Sequence, residues 1–448
     1  MKNITVGLDI GTSKICALVA SGESSKQEGL EILGIGIAES EGLSRGVVVN
    51  IERTTNTIRK VIEQAEQQSG IKIKEVTVGI AGDHIESFET RGIIGISNPN
   101  KEVTKEDVDR LIDNARSVKI SSEREIIHVM PQYFIIDGQD GITDPIGMSG
   151  VRMEASVHII TGLRTAIQNI HRCVERCGVK VSRVVLEPYA SSRALLTDEE
   201  KEVGVAIVDI GGGTTDIAIF EEDVIRYTSI FGLAGKHVTD DIRNVLGIIA
   251  NQAERIKREY GHSYSESISK DEVFMIPGIG GRKPMEVSKV NLCNIIQPRM
   301  EELFEFALAE IKKSGFAERL GAGIVLTGGT CLLKGTEDLA HQVFGLPVKI
   351  GIPSQISYSG LAPEVESPIY STGVGLALFG LEAKSNNSSE NEIEYINEIN
   401  KPKEDLNNNK KNNKDENSEA NQSIENQEEL TKEKVPLTTR FKKFMEQL

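Results

Sequence analysis

The chain has 448 residues, and its 51 Lys and Arg residues against 67 Asp and Glu residues give a formal net charge of -16 at pH 7. About two to four domains of ordinary size fit this length. A general nucleic-acid binder is disfavoured, because broad binding to a phosphate backbone needs a basic surface. No run approaches about 18 apolar residues, and MKNITVGLDIG leads straight into a predicted strand, so we expect a cytosolic protein with neither transmembrane helix nor signal peptide.

Strand-like and helical segments alternate along the first 383 residues. The strands ITVGLDI and KICALVA are followed by a helix that Asn50 caps and whose apolar residues share one face. After the strand KEVTVGIAG, the pattern continues with a helix at 163–177, the strands VSRVVLE, GVAIVDI and TDIAIF, a helix at 252–260 and the strand AGIVLTG. This alternation predicts an α/β fold.

An insertion of roughly 80 residues separates the strand that ends at Ala81 from the helix that starts at Leu163. It contains a predicted helix near Thr104, where Thr104 and Asp107 have the spacing of a capping box. The strand-like runs IIHVMPQYFII and ASVHIITG flank its segment 137–154. The insertion is therefore expected to have structure of its own.

Composition changes sharply near Ala383. Residues 384–434 contain 13 Asn, 13 Asp and Glu, 8 Lys, no Gly and only eight apolar residues. Such a segment cannot bury enough apolar surface to offset the entropy lost on ordering, so we predict a disordered linker.

The segment VPLTTRFKKFMEQL after this linker predicts a short amphipathic helix at 435–448. At 100° per residue its five large apolar residues fall within an arc of about 100°. With no core beside it, this face needs a lipid surface or a partner groove, and we favour membrane lipids. Docking on the folded body and binding as a peptide in a groove are the alternatives. The apolar residues are Leu437, Phe441, Phe444, Met445 and Leu448, and the basic residues beside them are Arg440, Lys442 and Lys443.

An internal repeat links the two halves of the folded part. Residues 6–19 (VGLDIGTSKICALV) and 207–220 (IVDIGGGTTDIAIF) each read as strand, Asp-Ile-Gly turn and strand, and Asp9 matches Asp209 at a separation of 200. Two lobes of similar construction are implied.

The two Gly-rich turns predict a phosphate clamp. Successive backbone N–H groups without Cβ obstruction form a concavity that suits the β- and γ-phosphates of a nucleotide. Asp9 and Asp209 are placed to hold Mg²⁺ through waters, and Lys14 adds a positive charge. Ordinary tight hairpins are the alternative. The predicted turn contacts are Gly11, Thr12, Ser13, Gly211, Gly212, Gly213, Thr214, Thr215 and Asp216.

Two further segments predict contacts to the nucleoside. The strand in GIVLTGGTCLLKGT ends at Gly328-Gly329, where backbone can approach an adenine and a ribose, although an ordinary strand-to-helix loop has the same pattern. Glu254 and Lys257 lie three apart on a predicted helix face and can contact ribose and base, or form a surface ion pair. Gly235 completes the predicted nucleotide contacts.

In this order, the segments resemble the actin-like ATPase superfamily. The resemblance implies an actin-like two-lobed fold with a duplicated core, joined by connecting segments at 186–191 and 370–378 that cross through small residues. Members of this superfamily have different activities, so the site and the insertion must decide between them.

Segments 81–92 and 137–154 closely resemble the FtsA family of bacterial cell-division proteins, and the similarity covers residues 1 to about 382 and the last turns of the chain. The resemblance implies a protein at the division septum, on the cytoplasmic face of the membrane. Such a protein binds ATP, tethers filaments of the tubulin-like FtsZ, recruits later division proteins and self-assembles through the inserted subdomain. Segment 294–303 resembles the FtsZ contact and places Arg299 and Glu302 near it, with a solvated helix face as the alternative.

The resemblance also divides the chain. Its expected parts are a first-lobe core of 1–82 with 163–203 and 360–383, an inserted subdomain of 83–162, a second-lobe core of 204–240 with 304–359, a second-lobe small subdomain of 241–303, the linker and the terminal helix.

Catalysis is left open by the sequence. Hydrolysis needs a positioned water, and Glu187, Asp209, Asp216 and Thr215 are the candidates near the γ-phosphate. Glu187-Pro188 resembles the corresponding pair in MreB-like proteins, and the family is regarded as slow or idle. ATP is therefore expected to act chiefly as a structural switch.

Three other classes fit less well. A heat-shock-like chaperone needs a substrate-binding β-domain where this chain has a polar segment. A small-molecule kinase needs an acceptor cleft with a catalytic base and has no use for a membrane-binding tail. A pilus-assembly relative is expected to lack the tail helix and the 137–154 motif.

Overall fold

The computed structural model describes residues 3–22, 29–98, 100–268, 270, 272–278, 280 and 283–386. The predicted amphipathic helix at 435–448, with all of its apolar and basic residues, lies outside these ranges, as does the predicted linker after residue 386. Within the described ranges, no helix is long and apolar enough to cross a membrane.

The described chain alternates between strands and helices as the sequence predicts. The strands are β1 (Asn3–Ile10), β2 (Lys14–Gly22), β3 (Leu30–Glu39), β4 (Leu43–Ser44), β5 (Val47–Val48), β6 (Glu75–Ile80), β7 (Glu86–Gly95), β8 (Arg124–Ile136), β9 (Gln139–Ile142), β10 (Arg152–Leu163), β11 (Lys180–Leu186), β12 (Val205–Ile210), β13 (Thr215–Glu221), β14 (Val224–Phe231), β15 (Val273–Ile276), β16 (Met285–Ser288), β17 (Ile324–Thr327), β18 (Val348–Ile350) and β19 (Ile356–Gly360). The helices are α1 (Ile51–Ser69), α2 (Lys105–Arg116), α3 (Arg164–Glu175), α4 (Glu187–Leu195), α5 (Asp198–Val203), α6 (Gly235–Leu246), α7 (Ala250–Tyr260), α8 (Lys289–Lys313), α9 (Thr336–Phe344), α10 (Ala362–Val365) and α11 (Ser371–Asn386).

Two central sheets repeat one connection pattern. In the first, with strand order β11-β6-β1-β2-β3-β19, the hairpin β1–β2 is antiparallel and β6 runs parallel to β1. In the second, with strand order β14-β13-β12-β17-β18, the hairpin β12–β13 is antiparallel and β17 runs parallel to β12. The predicted duplication of an α/β core is confirmed.

Helix α1 shows how the sequence sets its own boundaries. The side chain of Asn50 accepts a hydrogen bond from the backbone N–H of Arg53, and Gly70 ends the helix at a φ of 69°, which glycine adopts without steric cost. Its apolar face, which includes Ile58, Val61 and Ala65, is buried against the first sheet. The helix therefore forms where both periodicity and cap predict it.

Helices α4 and α11 cross between the lobes at small residues, as expected. A Cβ atom on Gly375 would overlap the carbonyl oxygen of Ala190, and one on Gly7 would contact the backbone of Gly373 at α11. Glycine therefore allows these backbones to approach closely.

The insertion forms a separate four-stranded sheet in the order β7-β10-β8-β9, with α2 packed against it. The predicted capping box is present, because the Thr104 hydroxyl accepts from the N–H of Asp107 at 3.3 Å and the Asp107 carboxylate accepts from the N–H of Thr104 at 3.1 Å. Leu111 from α2 and Met153 and Ile159 from β10 are fully buried in one apolar cluster. The insertion therefore has its own core.

Two predicted boundaries need correction. The second-lobe core is predicted to extend to residue 359, but β19 (Ile356–Gly360) joins the first sheet beside β3. Composition places the start of the linker at residue 384, but α11 continues to Asn386. The Lys384 ammonium donates to the carbonyl oxygen of Ile4 at 2.7 Å and pairs with the carboxylate of Glu75 at 2.8 Å. These contacts fasten the end of the helix to the first sheet, which composition alone does not reveal.

Candidate functional site

The two Gly-rich turns have matching geometry and face each other. In each turn the first glycine, Gly11 or Gly211, donates its N–H over 3.0 Å to the carbonyl oxygen three residues later. A Cβ atom on Gly212 would overlap the side chain of Ser13, and one on Gly213 would crowd that of Thr12. The second turn therefore needs glycine to lie this close to the first.

The turns and the ends of their strands line a cavity of about 770 Å³ between the lobes. This volume lies within the usual range for small-molecule sites. The structure brings most of the predicted contacts together on its wall. Those residues are Asp9, Gly11, Thr12, Ser13, Lys14, Glu187, Asp209, Gly211, Gly212, Gly213, Thr214, Asp216, Glu254, Lys257, Gly328 and Gly329.

Four carboxyl groups converge on the cavity: those of Asp9, Glu187, Asp209 and Asp216. Burial, with a smaller contribution from the charge of Asp9, raises the pKa of Asp209 to about 6, even though hydroxyl hydrogen bonds oppose the shift. Burial and the neighbouring carboxylates likewise raise the pKa values of Glu187 and Asp216 well above their usual range. The cavity therefore brings together carboxyl groups whose ionised forms are disfavoured.

Lys14 supplies the positive charge predicted beside this group. Its ammonium forms an ion pair with Asp9. Burial acts to lower the pKa of Lys14, but the charge of Asp9, the hydrogen bond to it and further nearby groups together outweigh burial, and the net shift is upward. Lys14 therefore stays protonated, and one cation faces four carboxyl groups.

The donor set fits a hydrated divalent cation. No group of three or more His, Cys, Asp or Glu side chains in the described ranges is arranged as a direct metal site. Nevertheless, one oxygen of Asp216 (Oδ1) is buried without a hydrogen-bond partner among the described residues, and burial disfavours the charged forms of Glu187, Asp209 and Asp216. Mg²⁺ suits this arrangement because it retains several waters and is bound through few protein carboxylates.

The opposite wall of the cavity comes from α7. The Glu254 carboxylate pairs with the ammonium of Lys257 at 2.7 Å and with the guanidinium of Arg258 at 2.8 Å. Burial acts to raise the pKa of Glu254, but the charge of Lys257 and the hydrogen bonds from Lys257, Thr239 and Arg258 together lower it to about 2. The Lys257 ammonium also donates to the carbonyl oxygen of Gly235 at 3.0 Å. Unlike a surface ion pair, this pair is fixed in the wall.

Gly328 joins this wall to the carboxyl group of Asp209. Its φ of 88° favours glycine, and a Cβ atom there would crowd Oδ1 of Asp209 and the carbonyl of Ile210. The predicted close approach of backbone at Gly328-Gly329 is therefore present.

Two predicted contacts lie behind the cavity wall. The Thr215 side chain is fully buried and donates to the carbonyl oxygen of Leu233 at 2.7 Å. The N–H of Gly235 donates to the carbonyl oxygen of Gly211 at 3.1 Å. Gly211 lines the cavity, but Thr215 and Gly235 do not. These positions brace the second turn, because strand alternation directs Thr215 away from its neighbour Asp216.

Sequence reasoning missed several supporting residues. Hydroxyl groups of Ser191 and Thr372, one from each connecting helix, donate to Asp209 at 3.1 and 3.4 Å. The Lys236 ammonium donates to the carbonyl oxygen of Thr12 across the lobes at 3.3 Å. Ser191 and Thr372 lie inside the predicted connecting segments, but no local pattern indicates that they reach Asp209.

The predicted partner surface lies on α8. The guanidinium of Arg299 pairs with the carboxylate of Asp241 on α6 at 2.6 Å and with that of Glu302 one turn later. Both Arg299 and Glu302 keep part of their side chains exposed. Arg299 therefore also fastens α8 to α6.

Comparison with known families agrees with the fold. The family model described as "Cell division protein FtsA" matches residues 206–375, and the model described as "SHS2 domain inserted in FTSA" matches residues 82–161.

Solved structures share the architecture at low sequence identity. A structure titled "PilM-PilN type IV pilus biogenesis complex" aligns with a TM-score of 0.60 at 16% identity, covering 84% of this chain and 98% of that one. The ADP-bound MreB5 of Spiroplasma citri aligns with a TM-score of 0.51 at 16% identity, covering 87% of this chain and 99% of that one. They establish an actin-like fold and nothing further.

Curated relatives are similar along nearly their full length. The cell division protein FtsA of Pseudomonas aeruginosa is 45% identical over 384 residues, covering 86% of this chain and 91% of that protein. FtsA of Escherichia coli K12 is 39% identical over 396 residues, covering 87% and 93%. FtsA of Bacillus subtilis is 39% identical over 374 residues, covering 84% and 82%. With its actin-like lobes and its inserted SHS2 domain, this chain belongs to the FtsA family of cell division proteins.

Proposed function

We propose that the cleft binds ATP with Mg²⁺. The observation that carries the proposal is the pair of facing Gly-rich turns on the wall of the 770 Å³ cavity, beside a cluster of carboxyl groups whose ionised forms are disfavoured. The hydrogen bonds that close the turns use the N–H groups of Gly11 and Gly211. The remaining N–H groups of each turn then bind the β- and γ-phosphates, and Lys14 adds a positive charge.

In this arrangement Asp9 and Asp209 hold Mg²⁺ through its waters, and the ion neutralises charge at the phosphates. Gly328 and Gly329 contact the adenosine, and the pair Glu254–Lys257 lies beside the ribose and base. Glu187 is the candidate base for an attacking water, aided by Asp209, because its pKa is raised by burial and by the neighbouring carboxylates. We propose slow hydrolysis at most, with ATP acting mainly on conformation.

At the level of the cell, we propose that the chain tethers FtsZ filaments to the cytoplasmic face of the membrane at the division septum and recruits later division proteins. Family membership supports a role in division. The apolar arc of the predicted helix at 435–448, which follows a long polar segment, supports a lipid contact. The exposed parts of Arg299 and Glu302 are the proposed FtsZ contact.

Self-assembly strengthens the membrane contact. A single short helix is marginal in water and buries its apolar face only partly at an interface, so one copy binds weakly. Linking many weak sites on one polymer raises apparent affinity by roughly 10²–10⁴. ATP-dependent assembly is therefore the proposed control of membrane residence.

Liposome co-sedimentation with purified FtsZ and ATP tests the tether. The full chain is compared with a chain ending at Lys434 and with Phe441→Glu, which places a charge within the apolar arc. Gln447→Glu is the matched control, because it adds the same charge outside that arc. We expect the full chain and the control to pellet with FtsZ, and the other two to stay in solution.

Equal pelleting of the truncated chain, or no pelleting of the full chain, would remove the terminal helix as the anchor. If the full chain pelleted with the liposomes while FtsZ stayed in solution, the helix would remain the membrane anchor but the proposed tethering of FtsZ would be wrong.

A further inference from the structure

Strand β8 of the inserted subdomain lies against both lobes. The pairing of β8 with β10 has an irregularity at Gln132, so the contacts of β8, not a simple alternation, show which side chains reach the lobes. His128 contacts the first connecting helix, whereas Met130 and Gln132 contact the second lobe. One strand therefore spans the junction between the lobes.

The contact with the connecting helix leads directly to the cavity. The N–H of Leu186 donates to Nε2 of His128 at 3.0 Å, and the His128 ring meets the ring of Tyr189 edge-on at 5.5 Å. Leu186 is the residue that precedes α4, and Glu187, its neighbour, lines the cavity. Burial, aided by the charge of Arg183, lowers the pKa of His128 to about 3, so Nε2 remains an acceptor at neutral pH.

The contacts with the second lobe are equally specific. The amide nitrogen of Gln132 donates to the carbonyl oxygen of Ile225 at 2.8 Å. Met130 packs against the apolar cluster beneath β12 and β13. From the neighbouring strand β7, the hydroxyl of Ser87 donates to the carbonyl oxygen of Thr228 at 3.2 Å. A rotation of the lobes about the connecting helices must therefore move or break these bonds.

The junction is polar and incompletely satisfied. Four buried atoms have no hydrogen-bond partner in the part of the chain that the structure describes: Oε1 of Gln132, Nδ1 of His158 and both ring nitrogens of His84. Buried polar groups without partners are unfavourable, so an arrangement that supplies partners competes with this one. Such a junction can change its bonding without breaking a well-packed core.

We propose that β8 couples occupancy of the cleft to the orientation of the inserted subdomain, with His128 and Gln132 as the positioning residues. The inference rests on the proposed nucleotide binding in the cleft. A ligand that draws the two lobes together displaces β14 relative to α4, and β8 contacts both. If nucleotide changes the affinity of the inserted subdomain for a partner by some factor, that partner changes the affinity for nucleotide by the same factor.

Hydrogen exchange of the full chain, with and without a non-hydrolysable ATP analogue and Mg²⁺, measures the coupling. Affinity is measured separately by titration with a fluorescent ATP analogue. We expect nucleotide to change the rate of amide hydrogen exchange within β8 and β14 at least about threefold. Direct contact with nucleotide does not explain such a change, because no residue of β8 or β14 lines the cavity.

Variants separate coupling from folding. Gln132→Met removes the donor to Ile225 at similar size, and Gln139→Met makes the same change at an exposed site on β9. His128→Leu removes the acceptor, whereas His128→Gln places an amide oxygen near the position of Nε2. We expect Gln132→Met and His128→Leu to lose more than half of the exchange response and to shift nucleotide affinity about threefold or more. His128→Gln and Gln139→Met should behave as the parent chain.

Each outcome decides between the proposals. If the parent chain does not bind nucleotide, the proposed function and this inference both fail. If it binds nucleotide but exchange in β8 and β14 is unchanged, the function stands and the coupling is wrong. If Gln132→Met fails to fold, Thr228→Val tests the same junction from the second lobe, because it removes the hydroxyl that lies 3.3 Å from Nε2 of His158 on β10. Parent-like exchange and affinity in that variant would overturn the inference.

Discussion

The burial of Asp209, with a smaller effect of the neighbouring Asp9, predicts that neutralising its carboxyl group stabilises the nucleotide-free protein. Asp209 is buried, and its pKa is raised from 3.8 to about 6. The folded state therefore holds a proton that the unfolded state has already released, and the free energy of unfolding falls as pH rises through this window. Two pKa units correspond to about 3 kcal/mol, which sets the upper limit of the cost above pH 6.

Asp209→Asn tests this reasoning. Its amide oxygen can still accept from the hydroxyl groups of Ser191 and Thr372, so the hydrogen bonds survive while the charge disappears. We expect the free energy of unfolding at pH 7.5, without nucleotide, to rise by up to about 3 kcal/mol, and by only about 1 kcal/mol at pH 4.5. Affinity for ATP with Mg²⁺ should fall at least about tenfold, because the proposed ion loses one of its carboxylates.

Urea denaturation at the two pH values measures stability, and titration with a fluorescent ATP analogue measures affinity. Asp140→Asn, at an exposed position on β9, removes the same charge from the surface and is the matched control. If Asp209→Asn gave no gain at pH 7.5, or an equal gain at both pH values, burial of the Asp209 charge would not explain the site. Stabilisation with unchanged nucleotide affinity would retain the electrostatic argument and contradict the magnesium role.

Three further predictions follow from packing and charge. Gly212→Val forces the facing turns apart and should weaken ATP binding at least about tenfold. Gly95→Val is the control and should leave ATP binding unchanged, because a Cβ atom there meets almost no neighbouring atoms. Titration with the fluorescent ATP analogue measures both. Leu111→Ala should destabilise the inserted subdomain by about 2–5 kcal/mol, seen as faster hydrogen exchange in α2 and β7 with the lobes unaffected. Glu254→Gln leaves the buried Lys257 ammonium with a weaker partner, so urea denaturation at pH 7.5 should show a lower free energy of unfolding than in the parent chain. This difference should shrink as pH falls toward 2, because the Glu254 carboxylate is then protonated in the parent chain as well. A difference that did not change with pH would contradict the ion-pair assignment.

Local patterns predict the elements of this fold well. Asn50 and the capping box of Thr104 and Asp107 mark helix starts that the structure shares, because a cap is satisfied within one turn of the chain. The duplicated Asp-Ile-Gly turns predict two lobes, since a tight hairpin is also a local structure. These features depend on residues that are close in sequence.

The features that sequence reasoning missed depend on long-range contacts. Thr372 reaches Asp209 across 163 residues, and Gln132 reaches Ile225 across 93. Neither contact leaves a periodic signal, because only the meeting of separate elements creates it. Thr215 illustrates the opposite error: its position in a Gly-Thr-rich turn suggests a ligand contact, but alternation along β13 directs it into the core.

Duplication itself explains why the cleft is electrostatically unfavourable without a ligand. Each half of the repeat places an aspartate where its first strand ends, and the facing turns bring Asp9 and Asp209 to one cavity. Glu187 joins them because it begins the helix that connects the lobes. One cation, Lys14, cannot balance this set, so closing the cleft without a further positive charge increases repulsion between the lobes. Under the proposed function, Mg²⁺ supplies that charge beside the carboxylates, while Lys14 and the N–H groups of the two turns face the negative charge of the phosphates. Lobe closure follows occupancy because the same carboxylates repel each other when the ion is absent.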